Sequence, residues 1–195
     1  MDLLTHYTVP MTQDNLFGKE EENFFALDDG TPLDEAMSTY QKAIRRGDEE
    51  LAVYFGYNIY QRFPKVFWKR TITIASEDVG NADPQAAILI AALHHNWEFI
   101  KKESKYSTGN VFVMQAVFYL LRCAKNRETD NVLPWIRQRM ADGWKPEVPD
   151  YALDKHTKRG KRMGRDATHF FGEGSVLANE QGTDNYKGKF DASRA

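Results

Sequence analysis

The chain has 195 residues, of which 42% are hydrophobic, 13% aromatic and 28% charged, and its net charge is −2. This length and composition predict one globular domain with tails, and the charge balance gives no overall basicity that would indicate a nucleic-acid partner. One cysteine excludes an internal disulfide. The first ten residues lack the pattern of a signal peptide, and the longest aliphatic run, 86–93, is too short to cross a bilayer. We therefore expect a cytoplasmic protein that does not contact membranes.

Residues 1–30 are polar and acidic without sustained periodicity, which predicts a flexible N-terminal arm. Within the arm, Gln13, Leu16 and Phe17 resemble the Gln-x-x-Leu-Phe peptides with which bacterial replication proteins bind the sliding clamp. In such peptides the Leu-Phe pair fills an apolar pocket while the glutamine forms hydrogen bonds at its rim. Two interpretations stay open: a clamp-binding peptide, or an arm that folds onto its own domain.

Helical periodicity without strand alternation predicts an all-α fold, a compact bundle over residues 31–166 followed by a C-terminal extension over 167–195. Thr31 is expected to cap the first helix and Asp48 the second, while Asp130 is expected to open the sixth. The fifth helix is apolar nearly all round, which indicates a central helix or an interface helix. The predicted helices are 33–46, 48–62, 64–80, 83–102, 110–125 and 130–143, with a further short helix over 168–177.

The corner between the third and fourth predicted helices contains two adjacent acids, Glu77 and Asp78, followed by Gly80. A glycine suits the left-handed position that ends a helix, and Asp83 with Pro84 suits the start of the next one. The helix dipole disfavours acids at a C-terminal end. We therefore expect these acids to have partners, either N–H groups of the next helix or an arginine or lysine from elsewhere.

The sequence of this corner resembles the A-S-E-D-[IV]-G-x-A-D-P signature of the MgsA/RarA family, ATPases of replication-associated recombination that are related to clamp loaders. Two further blocks, residues 38–48 and 148–164, resemble other motifs of the same family. The resemblance covers only the C-terminal, helical, oligomer-forming region of these proteins. It implies a clamp-loader collar-like bundle, a homo-oligomer (a tetramer in the family) and a role in DNA replication and recombination. The matching corner residues are Ser76, Glu77, Asp78, Gly80, Asp83 and Pro84.

No catalytic or cofactor-binding pattern is present in the sequence. There is no Gly-x-x-x-x-Gly-Lys-Ser/Thr loop to hold a nucleotide phosphate. His94 and His95 are adjacent on a predicted helix and point about 100° apart, so they do not share a metal. Cys123 lies in an apolar run without a neighbouring base, which is typical of a small buried side chain. We therefore expect no cofactor, no metal and no enzymatic activity.

A basic segment lies near the C-terminal end of the predicted domain, and its six cations fall within eleven residues. Such clusters bind the phosphate backbone of DNA by displacing counterions. The alternative is a solvated surface, or cations that neutralise acids within the fold or across a subunit boundary. The residues are Lys155, Lys158, Arg159, Lys161, Arg162 and Arg165.

Taken together, these patterns predict a non-enzymatic oligomeric scaffold or modulator of DNA replication and recombination, which binds DNA and a sliding clamp. Two alternatives stay open. One is a binding module or inhibitor, encoded by a phage or mobile element, that targets a host replication protein. The other is an enzyme of an unrecognised type, which would need a concave pocket with convergent ionisable groups.

Overall fold

Helices account for nearly all regular structure in the computed structural model, which describes residues 25–103 and 109–191. Among these residues the only β pairing is an isolated antiparallel bridge between Ala26 and Pro32. The all-α prediction is confirmed. The α-helices are α1 (Leu33–Arg46), α2 (Glu49–Arg62), α3 (Pro64–Ile74), α4 (Gln85–Glu103), α5 (Asn110–Arg122), α6 (Glu128–Ala141), α7 (Lys158–Arg162) and α8 (Ala167–His169).

Most of the helix ends follow the chemistry expected from the sequence. The α1 helix stops at Gly47, which has φ +76° and ψ +21°, and Asp48 accepts a hydrogen bond from the Leu51 N–H at 3.2 Å. Asp83 accepts from the Gln85 N–H at 3.2 Å and so caps α4. Pro64 is the first residue of α3, where its missing N–H costs nothing.

Two predicted helix starts are wrong. Thr31 does not cap α1, because Pro32 occupies the cap position without a side-chain bond and the Thr31 N–H itself donates to Asp29. The sixth helix begins at Glu128 rather than at Asp130. Asn126 explains the earlier start, since its side-chain oxygen accepts the Glu128 N–H at 2.7 Å.

Helix α5 lies at the centre of the core. Of the two roles predicted for it, central helix or interface helix, the structure shows the first. Its buried residues are Val113, Ala116, Val117, Leu120 and Leu121. It ends at Arg122, earlier than the predicted Lys125, because the chain at Cys123 turns extended with ψ 160°.

The core around α5 draws large side chains from the first four helices. Tyr40, Phe67 and Trp68 are each at most 1% exposed. The Tyr40 hydroxyl lies 3.0 Å from Thr71 Oγ1, which gives this buried polar group a partner. The packed part of the chain starts before α1, because Leu27 is only 2% exposed and belongs to the same core.

The chain divides into two units, Met1–Ile136 and Arg137–Ala195. The helical core described above belongs to the first unit. Within the second, Leu153 and Ala167 are the only buried apolar residues among those described. Turns and capping bonds hold it together: Thr157 Oγ1 accepts the Gly160 N–H at 2.9 Å, and Asp166 accepts from the Thr168 N–H at 3.0 Å. The predicted domain limits, 31–166 and 167–195, remain predictions.

Candidate functional site

The corner between α3 and α4 forms a wide turn in which the last turn of α3 expands over Ala75–Val79. Gly80 follows with φ +52° and ψ −134°; its positive φ suits glycine, but this is not the left-handed helical conformation that the sequence predicts for the end of a helix. A Cβ at this position would lie 2.8 Å from the carbonyl oxygen of Asn126. The Asn126 N–H also donates to the carbonyl oxygens of Asp78 and Val79, at 3.0 and 3.3 Å. Glycine is therefore required both by its φ and by the close approach of the segment that leads into α6.

Asp78 is the charged residue at the centre of this corner, and its side chain is fully buried. One carboxylate oxygen accepts from Arg45 Nε at 2.6 Å, and the other accepts from Gln41 Nε2 at 2.8 Å. Arg127 Nε lies 3.4 Å from the same carboxylate, at ion-pair distance without the alignment of a hydrogen bond. Removing a carboxylate from water costs several kcal/mol unless partners replace the lost hydration. The two arginines and the glutamine supply those partners.

Glu77 shares both arginines with Asp78. Its Oε1 lies 3.6 Å from Arg45 and 3.6 Å from Arg127, and Arg127 also pairs with Asp130 at the start of α6. The corner acids thus join α1 to the segment before α6. The prediction that the corner acids have partners is confirmed, and of the alternatives left open the structure shows arginines.

Gln41 extends this network to α3, because its Oε1 accepts from Arg70 at 2.7 Å. The partners Gln41, Arg45 and Arg127 were not predicted from the sequence. A polar glutamine on the apolar face of a predicted helix was the available signal for the first of them. Nothing in the local sequence links Arg127 to a corner about fifty residues earlier.

In the corner network, the carboxylates of Glu77 and Asp78 both pair with arginines, so neither is free to react. Both carboxylates are engaged by arginines, so neither has the exposed, uncompensated position of a general acid or base. Among the signature residues, Glu77 and Asp78 join helices through arginines, and Asp83 accepts a hydrogen bond from Tyr119 of α5. Among the described residues, no group of three His, Cys, Asp or Glu side chains is placed to hold a metal ion.

The environments of Cys123, His94 and His95 are those of structural residues rather than of catalytic or metal-binding ones. Burial raises the pKa of the Cys123 thiol, so this side chain is not activated as a nucleophile. His94 packs between two aromatic rings, with ring centroids 5.0 Å from Trp68 and 5.8 Å from Trp97. His95 is exposed on the same helix.

The basic segment lies in the second unit, and the structure separates its members. Arg165 donates two hydrogen bonds to Asp150, at 2.8 and 2.9 Å, and so contributes to the fold of this unit. The four cations of α7 are exposed, and within the described part of the chain none of them forms an ion pair. They are Lys158, Arg159, Lys161 and Arg162. The sixth cation, Lys155, is half-buried beside α7.

Gly160 allows α7 to form at this place. A Cβ there would lie 1.9 Å from the carbonyl oxygen of Asp154, so the chain packs against this helix more closely than any side chain permits. The five-residue helix is thereby held with two cations on either side of the glycine.

The predicted clamp-binding residues, Gln13, Leu16 and Phe17, lie outside the described residues, and that hypothesis stays a prediction.

No helix in the described ranges is both long enough and apolar enough to cross a bilayer.

Comparison with known proteins places most of the helical region, from the end of α1 onward, in one family. The model described as "MgsA AAA+ ATPase C terminal" matches residues 47–176. Replication-associated recombination protein A of Haemophilus influenzae is 27% identical over 73% of this chain and 28% of its own length. The protein of that name from Escherichia coli K12 is 32% identical over 66% of this chain and 28% of its own length. The Coxiella burnetii protein is 24% identical over 83% of this chain and 41% of its own length.

This chain therefore spans about 28–41% of the length of these relatives, and the match comprises their C-terminal helical region. The matched range includes the corner acids Glu77 and Asp78, α5 and the basic segment, whereas Gln41 and Arg45 of the corner network lie just before it. The chain belongs to the MgsA AAA+ ATPase C-terminal family.

Proposed function

We propose that this chain is a non-enzymatic, self-associating module of DNA replication and recombination, and that it binds DNA through α7. The observation that carries the DNA-binding part is the group of four exposed cations on α7, which lack acidic partners among the described residues. The family relationship supports the setting, because the relatives are named as replication-associated recombination proteins.

The charges of α7 fit a phosphate backbone better than a structural role. A cation that stabilises the fold pairs with an acid, as Arg165 does with Asp150. Exposed cations without such partners are available to neutralise DNA phosphates, and the release of the counterions condensed on the DNA favours association. These side chains contact phosphates rather than base edges, so binding is independent of sequence.

The DNA proposal is tested by exchanging the sign of the α7 charges. Substituting Lys158, Arg159 and Arg162 by Glu is expected to abolish retention on a DNA duplex at moderate salt. The affinity of the wild-type protein should fall as salt rises. A plot of log affinity against log salt concentration should have a slope of about −0.9 for each phosphate contact. The matched control changes three other exposed lysines, Lys42, Lys69 and Lys145, to Glu, which alters the net charge equally. Equal binding by the α7 variant and this control would refute the proposal.

Self-association is supported by α6, a helix of fourteen residues in which none is buried. Val132 and Leu133 are 44% and 49% exposed, although the sequence gives this part of the helix an apolar surface. Apolar residues left exposed on one helix are typical of a surface that another subunit covers. The sequence indicated α5 as a possible interface helix, but its apolar side chains fill the core. The helix that leaves apolar side chains exposed is α6.

Light scattering tests this second part of the proposal. The wild-type chain is expected to have a mass above 22.5 kDa at micromolar concentration. Substituting Val132 and Leu133 by Glu should give a monomer, while Gln138→Glu, on the opposite side of α6, should not. A wild-type chain that remains monomeric at high concentration would exclude the oligomeric scaffold and leave DNA binding by α7 to be judged separately.

A further inference from the structure

A groove of about 600 Å³ lies between the beginning of α3 and the last turns of α4, within the first unit. Its lining is mainly apolar and includes Phe63, Pro64, Val66 and Trp97. Trp97 is held in place by the core, because its Nε1 donates to the Tyr60 hydroxyl at 3.0 Å. The groove therefore exists before any ligand arrives, which lowers the entropic cost of binding.

The rim of the groove is positively charged. Three exposed lysines and one glutamate line it: Lys65, Lys101, Lys102 and Glu98. The ammonium group of Lys101 lies 4.8 Å from the centroid of the Trp97 ring, so one cation sits directly over the aromatic wall. An apolar slot with a cationic rim fits a peptide that combines large apolar side chains with nearby acids.

The chain contains such a peptide in its N-terminal arm. Leu16 and Phe17 are followed, after Gly18 and Lys19, by three consecutive glutamates at 20–22. The number of acids equals the number of lysines on the rim. Residues 1–24 lie outside the described structure.

A contact near the start of the described chain involves the residue that precedes the groove wall. Asp28, three residues after the first described residue, accepts a hydrogen bond from Arg62 at 3.0 Å, and Arg62 directly precedes Phe63 of the groove wall. Leu16 and Phe17 are eight to nine residues before Phe25. An extended chain of that length reaches about 30 Å, which is more than enough to return to the neighbouring groove.

We propose that residues 16–22 dock into this groove of their own chain, with Leu16 and Phe17 in the apolar slot and the three glutamates beside Lys65, Lys101 and Lys102. The same Leu-Phe pair would then be unavailable to any other protein until a competitor displaced it. The groove thus acts as an internal competitor for a clamp-type partner of the arm. This inference does not rest on DNA binding or on self-association.

The test uses a fluorescent peptide of residues 12–24 and full-length protein. In the variant Leu16→Ala, Phe17→Ala the groove is vacated, and the peptide is expected to bind. In the wild-type chain it should bind about tenfold to a hundredfold more weakly, because a tethered segment competes at an effective concentration of about 1 mM. The matched control Leu3→Ala, Leu4→Ala removes an apolar pair elsewhere in the arm and should keep the weak binding of the wild type.

A charge exchange identifies the groove as the binding surface. Adding Lys65→Glu, Lys101→Glu and Lys102→Glu to the vacated variant should weaken peptide binding about tenfold. A peptide with lysines at positions 20–22 should recover that loss. Equal peptide binding by wild type and vacated variant, or no recovery with the exchanged peptide, would overturn the proposal. If dilution of the wild-type protein strengthened its peptide binding, the occupant would be a second copy and docking within one chain would be wrong.

Discussion

The two units of the chain are stabilised in different ways. The first buries a continuous core of large side chains and places one fully buried carboxylate, Asp78, among arginines at its corner. The second buries two apolar residues among those described and depends on caps, a glycine, aromatic ring contacts around Phe170 and Phe171, and the Arg165–Asp150 pair. A core gives cooperative stability, whereas short capped turns contribute about 1 kcal/mol each and open locally. We therefore expect substitutions in the first unit to change global unfolding and those in the second to change local opening.

The largest effect is expected from Asp78→Asn. Removing this charge leaves Arg45 and Arg127 without their central partner, and breaking a buried ion pair typically costs about 3–5 kcal/mol. The free energy of unfolding, measured by urea denaturation with circular dichroism, should fall by about 3 kcal/mol.

Glu77→Gln is the matched control for that substitution. The Glu77 side chain is 28% exposed and its nearest guanidinium nitrogens are 3.6 Å away, so its loss should cost about 1 kcal/mol or less. Equal costs for the two variants would show that burial of Asp78 is not what makes the corner important.

Gly47 and Gly80 differ both in backbone strain and in steric conflict, because Gly47 is left-handed helical whereas Gly80 has ψ −134°. At both Gly80 and Gly47 φ is positive, but only Gly80 has a backbone atom within reach of a Cβ, at 2.8 Å. Gly47→Ala should cost about 1 kcal/mol, the usual penalty for a left-handed alanine. Gly80→Ala should cost clearly more, about 2–4 kcal/mol, since the segment at Asn126 must also move. Thermal unfolding of the two variants measures the difference, and equal melting temperatures would contradict the close packing of the corner.

In the second unit, Thr157→Ala removes the side chain that caps α7. A lost cap of this kind costs about 1 kcal/mol. Amide exchange at Gly160 should accelerate about fivefold, while the urea midpoint of the first unit stays unchanged. Thr157→Ser keeps the hydroxyl and should exchange like the wild type. If Thr157→Ala lowered the global midpoint, the contrast between the units would be wrong.

The smallest effect concerns pH. The hydrogen bond to Asp83 raises the pKa of Tyr119 to about 12 from its ordinary value of 10, since the neutral hydroxyl donates to the carboxylate at 2.7 Å. A tyrosine with a raised pKa favours the folded state below pH 10, and this contribution is lost as the pH rises from 10 to 12. Tyr119→Phe should therefore show a shallower loss of stability across this window in urea denaturation. A parallel pH profile for the variant and the wild type would refute the linkage.

Local sequence chemistry is sufficient for much of the fold of this protein. Gly47, Asp48, Pro64 and Asp83 mark helix ends through interactions within a few residues, and each was predicted from the sequence. Thr31 failed as a cap because the bridge of Ala26 with Pro32 set the backbone there instead. Local rules succeed where no distant segment competes.

The partners of the corner acids required the tertiary structure. Local sequence showed that Glu77 and Asp78 need compensating charge, but the arginines come from α1 and from the segment before α6, far away along the chain. The same holds for the apolar residues: periodicity marked both α5 and α6 as amphipathic or apolar, and only packing showed that the first is buried and the second exposed. Helix chemistry depends on neighbours in sequence, whereas burial and ion pairing depend on which helices meet in space.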